Sequence, residues 1–130
     1  MIDGKTGETI HALTTSTAYD AVRYDKETLD AIDRAHSDGR TIIAIHNHPN
    51  GLPPTLDDGA SALARGYDFG VVVGHNLEVW KYGKTATPMD EEDCGIVHEL
   101  LAEKLRFEFD FDDQVWYNTL KEFGMEVERR

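Results

Sequence analysis

The stretch "TIIAIHNHPNGLPPTLDD", Thr41 to Asp58, allows few local structures. Its first six residues are apolar and β-branched, the pattern of a short buried strand. Pro49 cannot extend a hydrogen-bonded ladder, so the strand must end there. "NGLPP" then makes a tight, constrained loop. "TLDD" carries the signature of a helix start, with Thr55 as N-cap and an acidic residue three positions on. The chain must therefore run strand, tight loop, helix, with two histidines at the strand's end.

The flanking segments extend that pattern. "DGKTG" (Asp3–Gly7) reads as a tight turn with Gly7 at positive φ, and "ETIHALTT" (Glu8–Thr15) as the strand after it. "DKETLDAIDRAHSDG" (Asp25–Gly39) reads as a helix capped by Asp25, with Leu29, Ile32 and Ala35 on one face and Gly39 ending it. A second helix is expected over Thr55–Asp68. "FGVVVG" (Phe69–Gly74) is another buried strand, and "HN" (His75–Asn76) turns into a last one over Leu77–Gly83. The order β-β-α-β-α-β-β predicts an α/β fold, a mixed sheet sandwiched by helices.

Past Gly83 the pattern changes. Ile96, Leu100, Leu101 and Leu105 are at helical spacing over Glu92–Phe109. Val115, Trp116, Leu120 and Phe123 repeat it over Asp112–Arg130. The expected organisation is a domain over 1–86 and a helical C-terminal extension over 87–130, its aromatics packing on the sheet or on each other.

With 130 residues and 40% apolar content, the chain fits one globular unit. No apolar run approaches membrane-spanning length, so no membrane partner is expected. The first ten residues lack the apolar stretch of a signal peptide, which points to the cytoplasm. The formal net charge of -12 repels phosphate backbones and argues against nucleic acid as partner. Cys94 is the single cysteine, so a metal would be held by histidine and carboxylate.

Side chains two apart on a strand share a face, so His46 and His48 point to one place while Asn47 turns away. A carboxylate from the next helix, Asp58, three residues after Thr55, completes three ligands. Zinc held by three protein ligands keeps a fourth position for water, whose pKa falls to about 7. Thr55 Oγ beside it is placed to donate to a developing oxyanion, a bond worth about 3 kcal/mol in such sites. The plainer reading is a strand that happens to carry H-x-H and a helix with an ordinary capping box.

"HNHPNGLPPTLDD" resembles the H-x-H-P-(loop)-S-x-x-D signature of JAMM metalloproteases, the MPN or JAB domains, and is most similar to their RadC-like and phage- or toxin-associated branches. The similarity spans roughly Met1 to Gly83, about two thirds of the chain. It implies a JAB/MPN, cytidine-deaminase-like fold and a Zn2+ held by His46, His48 and Asp58, with Thr55 in place of the oxyanion-stabilising serine. It also implies a metallopeptidase or isopeptidase acting on a peptide or ubiquitin-like protein substrate. The loop before Thr55 is one residue shorter than the commonest pattern, which keeps Asp57 as an alternative ligand. The family's general base, a glutamate on its first strand, is expected before the Asp3–Gly7 turn, where this sequence begins. Glu8 is the nearby glutamate and the candidate base. Two other readings are a weakly catalytic or inactive JAMM-like protein-binding module and a RadC-like protein associated with DNA repair, the latter disfavoured by the charge.

Elsewhere, "HELLA" (His98–Ala102) lacks the second histidine of H-E-x-x-H. His11, His36 and His75 read as solvated or locally bonded. The acidic clusters Asp90–Asp93 and Asp110–Asp113 lack Ca2+-loop spacing. Cys94 has no neighbouring base and reads as a small helix residue.

Overall fold

A computed structural model describes residues 1–13, 23–49, 51–105 and 113–130. They form a five-stranded mixed sheet and four helices, an α/β fold. Strands β1 (Ile2–Asp3), β2 (Ile42–His48), β3 (Phe69–Gly74), β4 (Val79–Tyr82) and β5 (Val127–Arg129) lie side by side in sequence order. β2 and β3 are parallel and the other neighbours antiparallel. The parallel pair needs a crossover, and α2 (Leu56–Ala64) supplies it.

Local chemistry sets the element ends. α1 (Lys26–Ser37) starts where the Asp25 carboxylate accepts the Thr28 hydroxyl at 2.7 Å and the Thr28 N–H at 2.8 Å, and these two bonds, the hydroxyl's first, hold the Asp25 pKa below its ordinary value. It stops at Gly39, whose φ of 66° is open to glycine at little cost. The Asp3–Gly7 turn closes through Gly7 N–H to Asp3 O at 2.8 Å, with Gly7 at φ 75°. His75 and Asn76 turn β3 into β4 through a Leu77 N–H to Gly74 O bond of 3.0 Å.

The core lies on one face of the sheet. Ile42 and Ala44 of β2, Val72 of β3, and Trp80 and Tyr82 of β4 share that face by register. Every helix adds to the same buried cluster: Ile32 and Ala35 from α1, Leu56, Ala60 and Ala62 from α2, Cys94 from α3 (Glu91–Leu105) and Leu120 from α4 (Asp113–Glu122). The other face is covered unevenly, with Ile43 buried near β1. There Ile45 is 45% exposed and Val71, Val73 and Val79 are half-buried.

Two expectations change. The strand over Glu8–Thr15 shrinks to an isolated Ile2–Thr9 bridge, and Thr14 and Thr15 lie outside the described residues. The C-terminal segment is not wholly helical, because Val127–Arg129 returns as β5 beside β4. Leu120 and Met125 are fully buried in the same cluster as the strands, so the core runs on past residue 86. Tyr117 stacks at a tilt on Trp80, their rings 5.8 Å apart, which places an expected aromatic on the sheet. The ends of the two C-terminal helical expectations, at 106–109 and at Asp112, lie outside the described residues, as do Asp110–Asp112 of the second acidic cluster.

Cys94 is fully buried. Burial, and then a bond to the Asp57 carboxylate, push its thiol pKa up to about 12. The native protein should therefore resist iodoacetamide at pH 8, and chemical unfolding should restore ordinary reactivity. Fast labelling of folded protein would contradict this placement.

Candidate metal centre

The site sits at the carboxyl end of the parallel β2–β3 pair, where the α2 N-terminus begins. Alternation along β2 puts His46 and His48 on the helix-covered face with Ile42 and Ala44, while Asn47 is exposed on the other. Pro49 ends the strand, and the chain turns back through Gly51 N–H to His48 O at 3.1 Å. The Trp116 indole of α4 donates to Pro54 O at 3.0 Å, so the C-terminal segment braces the loop that leads to Thr55.

Thr55 is the N-cap of α2 and Asp58 occupies the third helical position. Asp58 Oδ2 accepts the Thr55 N–H at 2.7 Å and the Thr55 hydroxyl at 3.2 Å. Its other oxygen, Oδ1, lies 2.9 Å from His46 Nε2, and Oδ2 lies 3.6 Å from His48 Nε2. The capping and ligand readings of "TLDD" are thus one arrangement: the carboxylate that closes the helix start also faces both imidazoles. Asp57 points elsewhere, toward Cys94 on α3. Burial alone would raise the Asp58 pKa. The His46 bond and charge, the Thr55 N–H and His48 outweigh it and hold the carboxyl below its ordinary value.

The donor spacing suits a small tetrahedral ion. His46 Nε2 and His48 Nε2 are 3.1 Å apart, and Asp58 lies 2.9 Å from the first through Oδ1 and 3.6 Å from the second through Oδ2. Zinc bonded to nitrogen and oxygen at about 2.0–2.1 Å has donor–donor edges of about 3.3 Å. Among the described residues this is the one group of three or more metal-ligating side chains close enough to hold an ion.

Neighbouring groups orient both imidazoles. His48 Nδ1 lies 2.9 Å from Leu52 O. A carbonyl only accepts, so Nδ1 carries the hydrogen and the Nε2 lone pair is left facing the site. His46 meets the ring of Tyr82 edge-on, centroids 6.0 Å apart at 75°. Tyr82 is on β4, with β3 between it and His46. Its ring crosses over Gly70, where any Cβ would collide with it. Sequence reading passed over Gly70 and Tyr82. The available signal was a lone glycine inside a strand pattern, which marks close approach by another group.

Glu8 is not brought to the site. β1 pairs with β2 at Ile42 and Ile43, and Glu8 follows the turn after β1. Its exposed carboxylate lies 3.6 Å from the Arg40 guanidinium, beyond the opposite end of β2. At ~3.3 Å per residue, His46 and His48 are about 13 and 20 Å further along the strand from Ile42. Among the described residues no other histidine joins the cluster. The His36 ring bonds Arg65 O at 2.7 Å, and His75 Nε2 lies 3.5 Å from Asn47 Nδ2. None of the described helices is long and apolar enough to cross a membrane. Neither a family model, nor a curated protein, nor a solved structure matches this chain.

Proposed function

We propose that this chain is a zinc-dependent hydrolase of the JAMM type, acting on peptide or isopeptide amide bonds. The observation that carries the reading is the His46–His48–Asp58 donor triangle, with the His48 tautomer set by Leu52 O. His46, His48 and Asp58 would hold the ion. Bound Zn2+ supplies Lewis acidity, lowering the pKa of water to about 7 and polarising a carbonyl.

The chain's own groups do the rest. Leu52 O and Tyr82 orient the two imidazoles, and the Thr55 N–H and hydroxyl fix the carboxylate. The Thr55 hydroxyl is engaged with Asp58, so it must rotate from Oδ2 before it can donate to a substrate oxyanion. The three side chains are partly exposed, His46 at 23%, His48 at 16% and Asp58 at 13%, and Leu52 and Leu77 are exposed beside His48.

One observation favours a second reading, a metal-binding module with little hydrolytic activity. Glu8 stands at the far end of β2, and among the described residues no other carboxylate joins the cluster. Loss of a positioned general base costs about 10²–10⁴-fold in rate.

Zinc titration of the chelator-treated protein, followed by a fluorogenic peptide assay, tests both readings. The expected stoichiometry is one ion per chain, abolished in His46→Ala/His48→Ala. Glu8→Gln should leave any hydrolysis unchanged. A double variant that kept its zinc would end the hydrolase proposal. Stoichiometric zinc with no turnover would leave the binding-module reading.

A further inference from the structure

The turn between β3 and β4 stands beside the metal centre. Gly74 pairs with His48, and the His75 N–H meets His48 O at 3.4 Å. Gly74 N–H donates to Glu78 O at 2.8 Å and Leu77 N–H to Gly74 O at 3.0 Å, so His75, Asn76 and Leu77 make a three-residue loop. Such a loop puts its third residue in the left-handed region, where glycine is favoured. Here that residue is leucine at φ 67°, the one positive φ among the described non-glycine residues. Its side chain is 86% exposed, so core packing does not hold it there. Backbone strain and exposed apolar surface thus fall on one residue next to a metal ligand. A second exposed leucine belongs to the same corner. Leu52 O lies 2.9 Å from His48 Nδ1, while Leu52 as a whole is 49% exposed. Asn76 joins the two loops. A Cβ on Gly74 would collide with Asn76 Oδ1, and one on Gly51 would come within 3.1 Å of Asn76 Nδ2. The same carboxamide accepts the Glu78 N–H at 3.2 Å and donates to the Glu78 carboxylate at 3.0 Å. The turn is therefore clamped against the β2–α2 loop, and each leucine directly follows a residue of that contact, Gly51 or Asn76.

We propose that Leu52 and Leu77 select the substrate, taking an aliphatic side chain beside the amide bond that is presented to the metal centre. Two leucines are too little for a stable protein interface, which buries about 800 Å² on each partner, and enough for one aliphatic side chain. The net charge of -12 favours neutral or basic peptides over acidic ones. As a statement about substrate this rests on the hydrolase reading, but the apolar contact itself needs no ion.

The probe is the peptide acetyl-Lys-Leu-Leu-Lys-amide, with leucines on both sides of its central amide, and the control is acetyl-Lys-Ser-Ser-Lys-amide. Nuclear magnetic resonance of isotope-labelled leucine methyls follows both titrations, in zinc-loaded and in metal-free protein. The leucine peptide should bind about tenfold more tightly than the serine one, the effect of burying one aliphatic side chain. The Leu52 and Leu77 methyls should shift as it binds. Glycine suits the left-handed turn, so Leu77→Gly should fold at least as well as the wild type and take up zinc as before. It should cut the preference to less than about threefold, since half of the apolar contact is gone. Leu52→Ala keeps the carbonyl that faces His48 and should reduce the preference too. A wild-type protein that takes up no zinc yet keeps the preference would end the hydrolase reading and uphold the leucine pair. Equal binding of the two peptides, no binding of either, a full preference in Leu77→Gly, or shifts confined to other methyls would overturn the proposal. So would a dimer in light scattering that Leu77→Gly dissolves, because the leucines would then meet a second copy.

Discussion

Asp58→Asn is expected to weaken zinc binding by about 10²–10³-fold with the fold intact. Four-ligand structural sites bind zinc with roughly 10–16 kcal/mol, or roughly 2.5–4 kcal/mol for each ligand, and 1.4 kcal/mol is about tenfold in affinity. An asparagine keeps the side-chain shape and still offers an oxygen to the Thr55 N–H, now 2.7 Å from Asp58 Oδ2. It lacks the negative charge that faces His46 and His48. Asp58→Ala should lose the same affinity and, in addition, about 1 kcal/mol of stability, because the helix start loses its acceptor. Comparing the two separates the cap from the ligand. Competition with a chromophoric chelator measures the first effect and thermal melts of the metal-free proteins the second. Wild-type zinc affinity in Asp58→Asn would remove the carboxylate from the ligand set.

That single residue also marks what was legible in the sequence. The positions of His46, His48 and Asp58 follow from local rules: period-two alternation, the strand break at Pro49 and the grammar of a helix start. Each acts over a few residues, so a linear reading captures it. The T-x-x-D spacing favours Asp58 over Asp57, and in the fold Asp58 faces both imidazoles while Asp57 bonds Cys94. Glu8 failed for want of the third dimension. Its nearness in sequence to the first turn says nothing of distance to the histidines, which the antiparallel register of β1 on β2 sets. β5 was illegible because Val127–Arg129 is short and mostly charged, and forms a strand only because β4 presents an edge. The apolar run "IIAI" suggested burial on both faces. Ile43 is buried, yet Ile45, on the same face, is not.

Gly70→Val should be the most damaging single substitution away from the ligands. Gly70 pairs with Tyr82 across β3 and β4, and the phenol ring lies over it on the way to His46. A valine puts three carbons where the ring now sits. Tyr82 is 2% exposed within the core cluster, so it has no free space to move into. Overpacking of this kind costs about 1–3 kcal/mol, and expelling a large aromatic about 3–5 kcal/mol. A loss near 3 kcal/mol corresponds to a fall in Tm of roughly 10–15 °C for a chain of this size. Zinc affinity should fall as well, by about tenfold, because the His46 ring loses the contact that orients it. The argument is specific to the pair, so a double-mutant cycle decides it. In a Tyr82→Leu background, where no ring crosses β3, Gly70→Val should cost much less than in the wild type. Equal costs in both backgrounds would mean that Gly70 is needed for some reason other than the ring, and the proposed path from β4 across β3 to the metal centre would fail.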